Sequence, residues 1–471
     1  MDKFLLKIKK LIPSKIFKIL QPTYHYLLSA FSAFWYGRPS EKLIVIGITG
    51  TTGKTTSVYM MAKTLEAAGY KVGYTSTAMF GDGEREWLND KKMTMVGRFF
   101  TQRMLRDMVK NKCQYAVIET TSEGVRQFRH KFINYDILIF TGLYPEHIES
   151  HGGFENYKIA KGKLFEHLKS CKTKYADEKK FVYAGASELK KTDLNKVKKT
   201  TIVNLDDEYA FYFTEFWAEE KWGYAEQNSK RKTQNAKLNL ITYGEIKVSQ
   251  SGTSFKVEKA RINLQLLGAF NATNAMNAVC VGLSQNINLD SIKNGLEKIK
   301  GIPGRLEKID SGQPFTVIVD YAFEPNAVKK LYDAVKIIPH NKIIHVLGAT
   351  GGGRDASRRP ALGRLAGENA EIVIVTNEDP YDDDPKLIID QVAFGAEYKG
   401  KEEEKDLFKI LDRGQAIKKA LALADENDVV LITGKGSEQA ICAARGEKIP
   451  WDDRRVTERF LKESFATEMS G

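Results

Sequence analysis

The sequence predicts an α/β chain with two sheets: a parallel sheet carrying an antiparallel appendage, then a smaller doubly wound sheet. Three observations carry this expectation. Across residues 41–165 short apolar runs alternate with helical patterns, as a helix-covered parallel sheet requires. Across 200–268 the strand-like runs 238–243, 246–248 and 253–257 are separated only by turn residues, which reads as an antiparallel appendage. After residue 303, strands at 315–319, 342–347, 371–376 and 428–432 alternate with helical segments at 325–337, 385–395 and 413–425, a Rossmann-like pattern. The expected organisation is a basic, aromatic N-terminal segment (1–40), a central domain (41–302) and a C-terminal domain (303–471). Gly301-Ile302-Pro303-Gly304 reads as the hinge, and the lysine-rich stretch 167–199 as a surface connection.

The chain has 471 residues, 42% hydrophobic and 28% charged. Those shares are ordinary for a globular protein and exclude a wholly disordered, collagen-like or polytopic membrane chain. Lysine plus arginine (72) exceeds aspartate plus glutamate (60), a net charge of +12 that favours anionic partners. No basic-aromatic nucleic-acid module is visible beyond the N-terminus, so nucleic acid is not an expected partner. The four cysteines, Cys113, Cys171, Cys280 and Cys442, show no CxxC spacing and read as reduced thiols of a cytoplasmic enzyme.

In residues 1–18 six lysines interleave with apolar residues, and residues 19–36 carry no Asp, Glu, Lys or Arg. A membrane-spanning helix needs about 20 mainly apolar residues. Gln21, Pro22, Thr23 and His25 interrupt this run. The pattern fits a helix lying in the plane of an anionic membrane, with a helical hairpin packed on the first domain as the alternative.

The apolar strand 43–48 leads into Gly50-Thr51-Thr52-Gly53-Lys54-Thr55-Thr56 and then a helix ending at Gly69. Strand, glycine turn and helix make a P-loop, in which backbone N–H groups and the helix N-terminus hold phosphate oxygens. Lys54 is expected on the terminal phosphates and Thr55 or Thr56 on magnesium. The strict spacing is missed, because position 48 is isoleucine. The strand Tyr115-Ala116-Val117-Ile118 ends in Glu119, an acid placed where a magnesium ligand belongs.

Further on stand Pro145-Glu146-His147-Ile148-Glu149-Ser150-His151-Gly152 and then Lys158-Ile159-Ala160-Lys161. Later segments are Asn204-Leu205-Asp206-Asp207, Gly268-Ala269-Phe270-Asn271-Ala272-Thr273-Asn274, Gly304-Arg305-Leu306-Glu307 and Asp320-Tyr321-Ala322. Gly351-Gly352-Gly353-Arg354-Asp355 with Arg359-Pro360, and Gly434-Lys435-Gly436-Ser437-Glu438, complete the series. In this order the segments resemble the Mur ligase family, most nearly its tripeptide-synthetase (MurE-like) branch, from about residue 43 to 460. The resemblance implies an ATP-dependent ligase that joins an amino acid to a muropeptide carboxylate through an acyl phosphate, in peptidoglycan synthesis. It implies ATP on Gly50, Thr51, Thr52, Gly53, Lys54, Thr55, Thr56, Asn271, Asn274, Arg305 and Asp320. It implies two magnesium ions on Thr55, Glu119, His147 and a carbamylated Lys161, with Lys54, Lys161 and His147 catalytic. Substrate contacts are implied at Ser122, Arg129, Asp379, Tyr381, Gly434 and Glu438, in a chain that works as a monomer.

Several positions depart from the family pattern. The roughly 40 residues before the first strand are too few for the family's uridine-nucleotide domain, at the usual domain size of about 50 residues or more. The expectation is therefore a chain without that domain, whose N-terminal segment docks it near membrane-linked or otherwise differently presented acceptors. Thr376-Asn377-Glu378-Asp379-Pro380-Tyr381 stands where diaminopimelate-adding members carry an arginine, and Asp382, Asp383 and Asp384 follow. Tyrosine cannot grip a second carboxylate bidentately. An acidic rim suits a cationic side chain such as that of lysine or ornithine; alternatively these acids cap the helix near Pro385. Glu123, Glu146 and Glu149 also differ from the branch. Two further readings are a folate- or cyanophycin-type ligase with another acceptor, and a non-catalytic nucleotide-binding relative. The 150–157 stretch and Gly434–Glu438 favour the first reading over the folate- or cyanophycin-type ligase, and the intact Lys54, Glu119, His147 and Lys161 argue against the non-catalytic relative.

Overall fold

The computed structural model describes residues 14–145, 152–183, 194–229, 238–353 and 356–468. A parallel sheet dominates the first part. Its strands are β1 (Ile44–Thr49), β2 (Val72–Thr75), β3 (Met79–Gly81), β4 (Glu86–Leu88), β5 (Tyr115–Glu119) and β6 (Ile137–Phe140). A hairpin of β7 (Lys174–Ala176) and β8 (Asn195–Val197) stands apart. The sheet continues with β9 (Thr200–Asn204), β10 (Glu220–Glu226), β11 (Asn239–Ser249), β12 (Gly252–Val257) and β13 (Ala260–Leu264). Eleven strands run in the order β13-β12-β11-β10-β9-β6-β1-β5-β2-β3-β4.

The central strands β1, β5 and β6 are buried along their whole length. That explains their unbroken apolar runs, since helices cover both faces of such a sheet. On one face Lys54–Ala67 packs against Phe270–Ser284 and Leu289–Glu297; Arg98–Lys110 and Phe154–Leu168 bring apolar side chains to the core on the other.

The appendage differs in detail from the expectation. β11 is one strand parallel to β10, and the antiparallel order starts only at β12. A bulge between Gly244 and Lys247, with Glu245 at φ 49°, breaks the alternation and makes one strand read as two. The 167–199 stretch is not wholly a surface connection either. Lys174 and Lys199 are buried and both bond Asp136, at 2.5 and 2.8 Å. A lysine in a run of lysines carries no local sign of burial; a carboxylate from β6's N-terminal end decides it.

The second sheet contains β14 (Glu307–Ile309), β15 (Thr316–Asp320), β16 (Ile343–Leu347), β17 (Ile372–Thr376), β18 (Leu407–Ile410) and β19 (Val429–Thr433). Their order is β14-β15-β19-β16-β17-β18, and only β14 is antiparallel. Helices Pro325–Val335, Pro385–Glu397 and Arg413–Ala422 fall where the sequence places them, within a few residues. Arg358–Asn369, read as part of a glycine loop, is a helix, with Pro360 tolerated in its first turn. A last helix, Asp453–Glu468, closes the chain.

Of the N-terminal segment, residues 1–13 lie outside the described residues; from residue 14 it is a helix, Ser14–Trp35, with Pro22 inside it. It packs on Arg98–Lys110, and the Tyr26 ring meets those of Phe128 and Phe132 at 6.1 and 5.1 Å.

Candidate active site

β1 pairs with β5 on one side and β6 on the other, so the loop after β1 opens at the carboxyl edge of the sheet, at its topological switch point. Two glycines make that loop's path practicable. Gly53 has φ 79°, and a Cβ there would stand 2.3 Å from Asn274 Oδ1; at Gly50 a Cβ would stand 1.9 Å from Thr141 Oγ1. No side chain caps the helix Lys54–Ala67 that follows, so its first-turn N–H groups are available to an anion. Thr51 to Thr56 all line a cleft of about 1160 Å³ between the two sheets.

Two lysines meet at the loop. Lys54 Nζ donates to the carbonyls of Gly50 (3.0 Å) and Thr51 (2.7 Å). Lys161, from Phe154–Leu168 and only 2% exposed, donates to the same Gly50 carbonyl at 2.8 Å. Its ammonium lies 4.4 Å from the centroid of the Tyr157 ring.

Glu119 ends β5 beside the loop with 2% exposure. Its carboxylate accepts from the Thr55 hydroxyl (2.9 Å), the Thr77 N–H (2.8 Å) and the Thr77 hydroxyl (3.1 Å). The Thr55 and Glu119 oxygens form a hard, adjacent donor pair of the kind magnesium takes alongside phosphate oxygens. Among the described residues no group of three or more His, Cys, Asp and Glu could hold a metal by itself. His147, with Glu146 and Glu149, lies outside the described residues, as do Arg354 and Asp355.

From the second sheet Arg305 reaches across the cleft, with Nη2 3.3 Å from Thr55 Oγ1 and its guanidinium 4.5 Å from the Tyr321 ring centroid. Asp320 accepts from the N–H groups of Leu306 (2.7 Å) and Ala322 (2.6 Å). Burial holds its carboxyl above the usual range, against the pull of Arg305. Asn274 donates to Asn271 Oδ1 at 3.0 Å, and Asn271 donates to the Leu267 carbonyl at 2.7 Å. Both asparagines line the cleft beside Gly53.

Ser122 and Arg129 line another part of the cleft wall. Ser122 opens a short helix, Ser122–Arg126, capped by Thr121. Arg129 donates to the Met95 carbonyl and to Gln127 Oε1, and burial lowers its pKa to about 10.

Asp379, Tyr381, Gly434 and Glu438 line the cleft on the second-sheet side. Lys435, wholly buried, donates to Asp379 Oδ1 (2.7 Å) and Glu438 Oε2 (2.9 Å). Lys92, from the first part of the chain, also donates to Asp379 (2.7 Å) and to Glu438. Burial disfavours a charged Lys92, yet Glu438 and Asp379 hold its pKa above the ordinary value. Glu378 is buried beside them, and burial with the Asp379 charge pushes its pKa up to about 7. Gly434 has φ 102°, where a Cβ would stand 2.4 Å from Glu378 Oε2.

The acids after Tyr381 do not form a free rim. Asp384 caps Pro385–Glu397 through the Lys386 N–H, Asp383 pairs with Arg359 at 3.2 Å, and Asp382 accepts from the Arg445 N–H. Only Asp384 meets the helix-capping alternative, but with all three acids engaged the acidic-rim argument for a cationic amino acid is withdrawn. Sequence reasoning missed Lys92, Thr77 and Glu378. Lys435 carried a signal, standing inside a quoted glycine motif; Lys92 carried none.

Comparisons with known proteins agree with this geometry. Residues 48–190 and 186–282 match the Mur ligase middle domain, and residues 304–436 match the Mur ligase, glutamate ligase domain. The UDP-N-acetylmuramyl-tripeptide synthetase of Roseiflexus sp. (strain RS-1) is 34% identical over 449 residues, covering 94% of this chain and 83% of that protein. The UDP-N-acetylmuramoyl-L-alanyl-D-glutamate–2,6-diaminopimelate ligase of Syntrophomonas wolfei is 31% identical, covering 92% and 81%. Among solved structures, a UDP-N-acetylmuramoyl-L-alanyl-D-glutamate–2,6-diaminopimelate ligase matches with a TM-score of 0.55 at 25% identity, covering 90% of this chain and 79% of that one. The folylpolyglutamate synthase of Mycobacterium tuberculosis shares the fold, with a TM-score of 0.63 at 14% identity over 93% and 94% of the two chains.

Proposed function

This chain belongs to the Mur ligase family, and on that footing we propose that it is an ATP-dependent ligase adding an amino acid to a muropeptide carboxylate in peptidoglycan synthesis. One observation carries the reading. A single cleft holds a phosphate loop with Lys54 and the Thr55–Glu119 pair, and also a buried acid and ammonium cluster around Asp379.

In this reading the triphosphate lies on the Gly50–Thr56 loop, with its base toward Asn271 and Asn274 and Arg305 reaching it from the second domain. Thr55, Glu119, His147 and a carbamylated Lys161 would hold two magnesium ions. A lysine ammonium repels divalent cations, whereas a carbamate offers anionic oxygens. Magnesium supplies charge neutralisation on the phosphates.

An acceptor carboxylate oxygen, positioned from the Ser122–Arg129 side, attacks the γ-phosphorus. The bond from γ-phosphorus to the β-bridging oxygen breaks, giving an acyl phosphate and ADP. The amine of the incoming amino acid, held on the Asp379–Tyr381 and Gly434–Glu438 side, then attacks the acyl carbon. Phosphate leaves, the nitrogen loses a proton and the amide forms. The side chains align reactants and offset charge rather than form covalent bonds. In this reading the working unit is a monomer, and the acceptor is met at a membrane surface.

The test is phosphate release with ATP, magnesium, a muropeptide panel and single amino acids. Release that requires both acceptor and amino acid supports the reading; ATP turnover insensitive to both overturns it. For the carbamate, a 13C carbamate resonance after equilibration with labelled bicarbonate, absent in Lys161→Ala, is expected. A wild-type enzyme whose rate is unchanged by bicarbonate depletion and which shows no such resonance removes that assignment.

A further inference from the structure

One face of the N-terminal helix Ser14–Trp35 is apolar and uncovered. Leu20, Tyr24, Leu27, Phe31 and Phe34 recur at steps of four and three residues, which places them on one stripe. They are exposed by 53%, 38%, 60%, 51% and 72%, and Trp35 beside them by 69%. The opposite face is used: Ser29, Ser32 and Ala33 are buried, and Tyr26 packs against Phe128 and Phe132. The helix is thus attached to the protein on one side and presents large aromatic and aliphatic groups on the other. A contiguous exposed patch of this kind marks a contact surface.

The charges around it say what it contacts. Between residues 1 and 40 the basic residues are Lys3, Lys7, Lys9, Lys10, Lys15, Lys18 and Arg38, and Asp2 is the only acid. The stretch 19–36 contains no charged residue other than the histidine at 25. Burial with the Arg98 and Arg129 charges lowers the pKa of that histidine, favouring its neutral form. Basic residues on one end and an uncharged aromatic face on the other suit an interface with anionic headgroups above and acyl chains below. Among the described residues no helix is long and apolar enough to cross a membrane.

We propose that the Leu20–Trp35 face docks this protein on the surface of an anionic lipid bilayer. Docking there sets the orientation of the cleft. Arg98 joins the helix to the cleft wall: its guanidinium bonds Ser29 Oγ (3.0 Å), His25 Nδ1 (3.1 Å) and the Gln127 carbonyl (2.8 Å). Gln127 in turn accepts from Arg129, which lines the cleft. The Ser122–Arg129 side is therefore held against the docked helix, and an acceptor anchored in the bilayer reaches the cleft from there. That last step rests on the ligase reading above; the docking itself does not.

The experiment is vesicle flotation of the full chain, with phosphatidylcholine vesicles and with vesicles containing 30% phosphatidylglycerol, an arbitrary composition of about physiological anionic content. Wild-type protein is expected to float with the anionic vesicles at least about tenfold more than with the neutral ones. Leu27→Glu with Phe34→Glu, both on the exposed stripe, is expected to abolish flotation without changing the melting temperature or phosphate release on a soluble acceptor. Replacing Lys3, Lys7, Lys9 and Lys10 by Gln is expected to weaken it and reduce its salt dependence. Absence of flotation in wild type overturns the proposal. So does a wild-type dimer, by light scattering, that becomes a monomer in the Leu27→Glu, Phe34→Glu variant, since the face then meets a second copy. Wild-type protein that floats but shows no acceptor-dependent phosphate release would overturn the ligase reading alone.

Discussion

The ammonium of Lys92 donates to the carboxylate of Asp379 across 2.7 Å, and the two residues belong to the two different domains. Lys92 sits at φ 54°, in the left-handed region, on the loop after β4. Its side chain is 5% exposed, and Glu438 accepts from it as well. With Lys435 on the same acids, two ammonium groups face two carboxylates. The pair thus joins the two walls of the cleft and offsets the charge of its acids.

On the proposed reading, a cationic amino-acid side chain at these acids competes with Lys92 for them. Lys92→Met is expected to shift the ratio of kcat/KM for lysine or ornithine over that for a neutral amino acid upward by about tenfold or more, since a buried charge pair is worth a few kcal/mol. KM for ATP should stay within about twofold. Competition assays with paired amino acids measure this, and an unchanged ratio would show that the pocket does not read the side chain.

Glu119 sits where Thr55, Thr77 and the loop converge. Glu119→Gln keeps the shape and removes the charge. Phosphate release should fall by at least about 100-fold, on the scale of losing one electrostatic stabiliser of a phosphoryl transfer. Lys54→Ala should fall by a similar factor and also lose the ATP-induced rise in melting temperature.

Asp136 bonds both Lys174 and Lys199 in the interior and accepts from the Val45 N–H at 2.8 Å. Burial pulls Lys174 down to about 8, against the Asp136 charge. Asp136→Asn leaves two buried ammonium groups without their carboxylate and should cost about 3–5 kcal/mol in urea unfolding. Nucleotide binding by the folded fraction should be unaffected.

Glu378 has a folded pKa of about 7, raised by burial and the Asp379 charge. One of its carboxylate oxygens has no hydrogen-bond partner. An acid whose pKa is raised on folding stabilises the fold where it is protonated. This contribution is therefore present below the unfolded value of about 4.3 and is lost as pH rises toward 7. Glu378→Gln should gain stability relative to wild type between pH 5 and 8, by something on the order of 3 kcal/mol at 1.4 kcal/mol per pKa unit. Urea midpoints at the two pH values check it; equal differences at both would place a charged Glu378 in the fold.

Much of this protein was legible in its residues. The strand, glycine turn and helix at 44–67 were, because backbone N–H groups need glycines at Gly50 and Gly53 wherever they wrap phosphate. So were the buried strands, because a parallel sheet covered on both faces must be apolar throughout. The end of an apolar strand pointed to Glu119, which lies beside that loop, whereas Lys161 was named only through the family resemblance. Tertiary structure alone decided which charges meet. Lys92 joins Asp379 across 287 positions of sequence, and Asp136 draws two lysines inward from a lysine-rich stretch. It also decided that Asp382 is engaged by a backbone N–H, Asp383 by an ion pair and Asp384 by a helix cap. The reason is physical: hydrophobic period and turn chemistry are properties of neighbours along the chain. The partner of a buried charge is whichever group folding brings within hydrogen-bond distance.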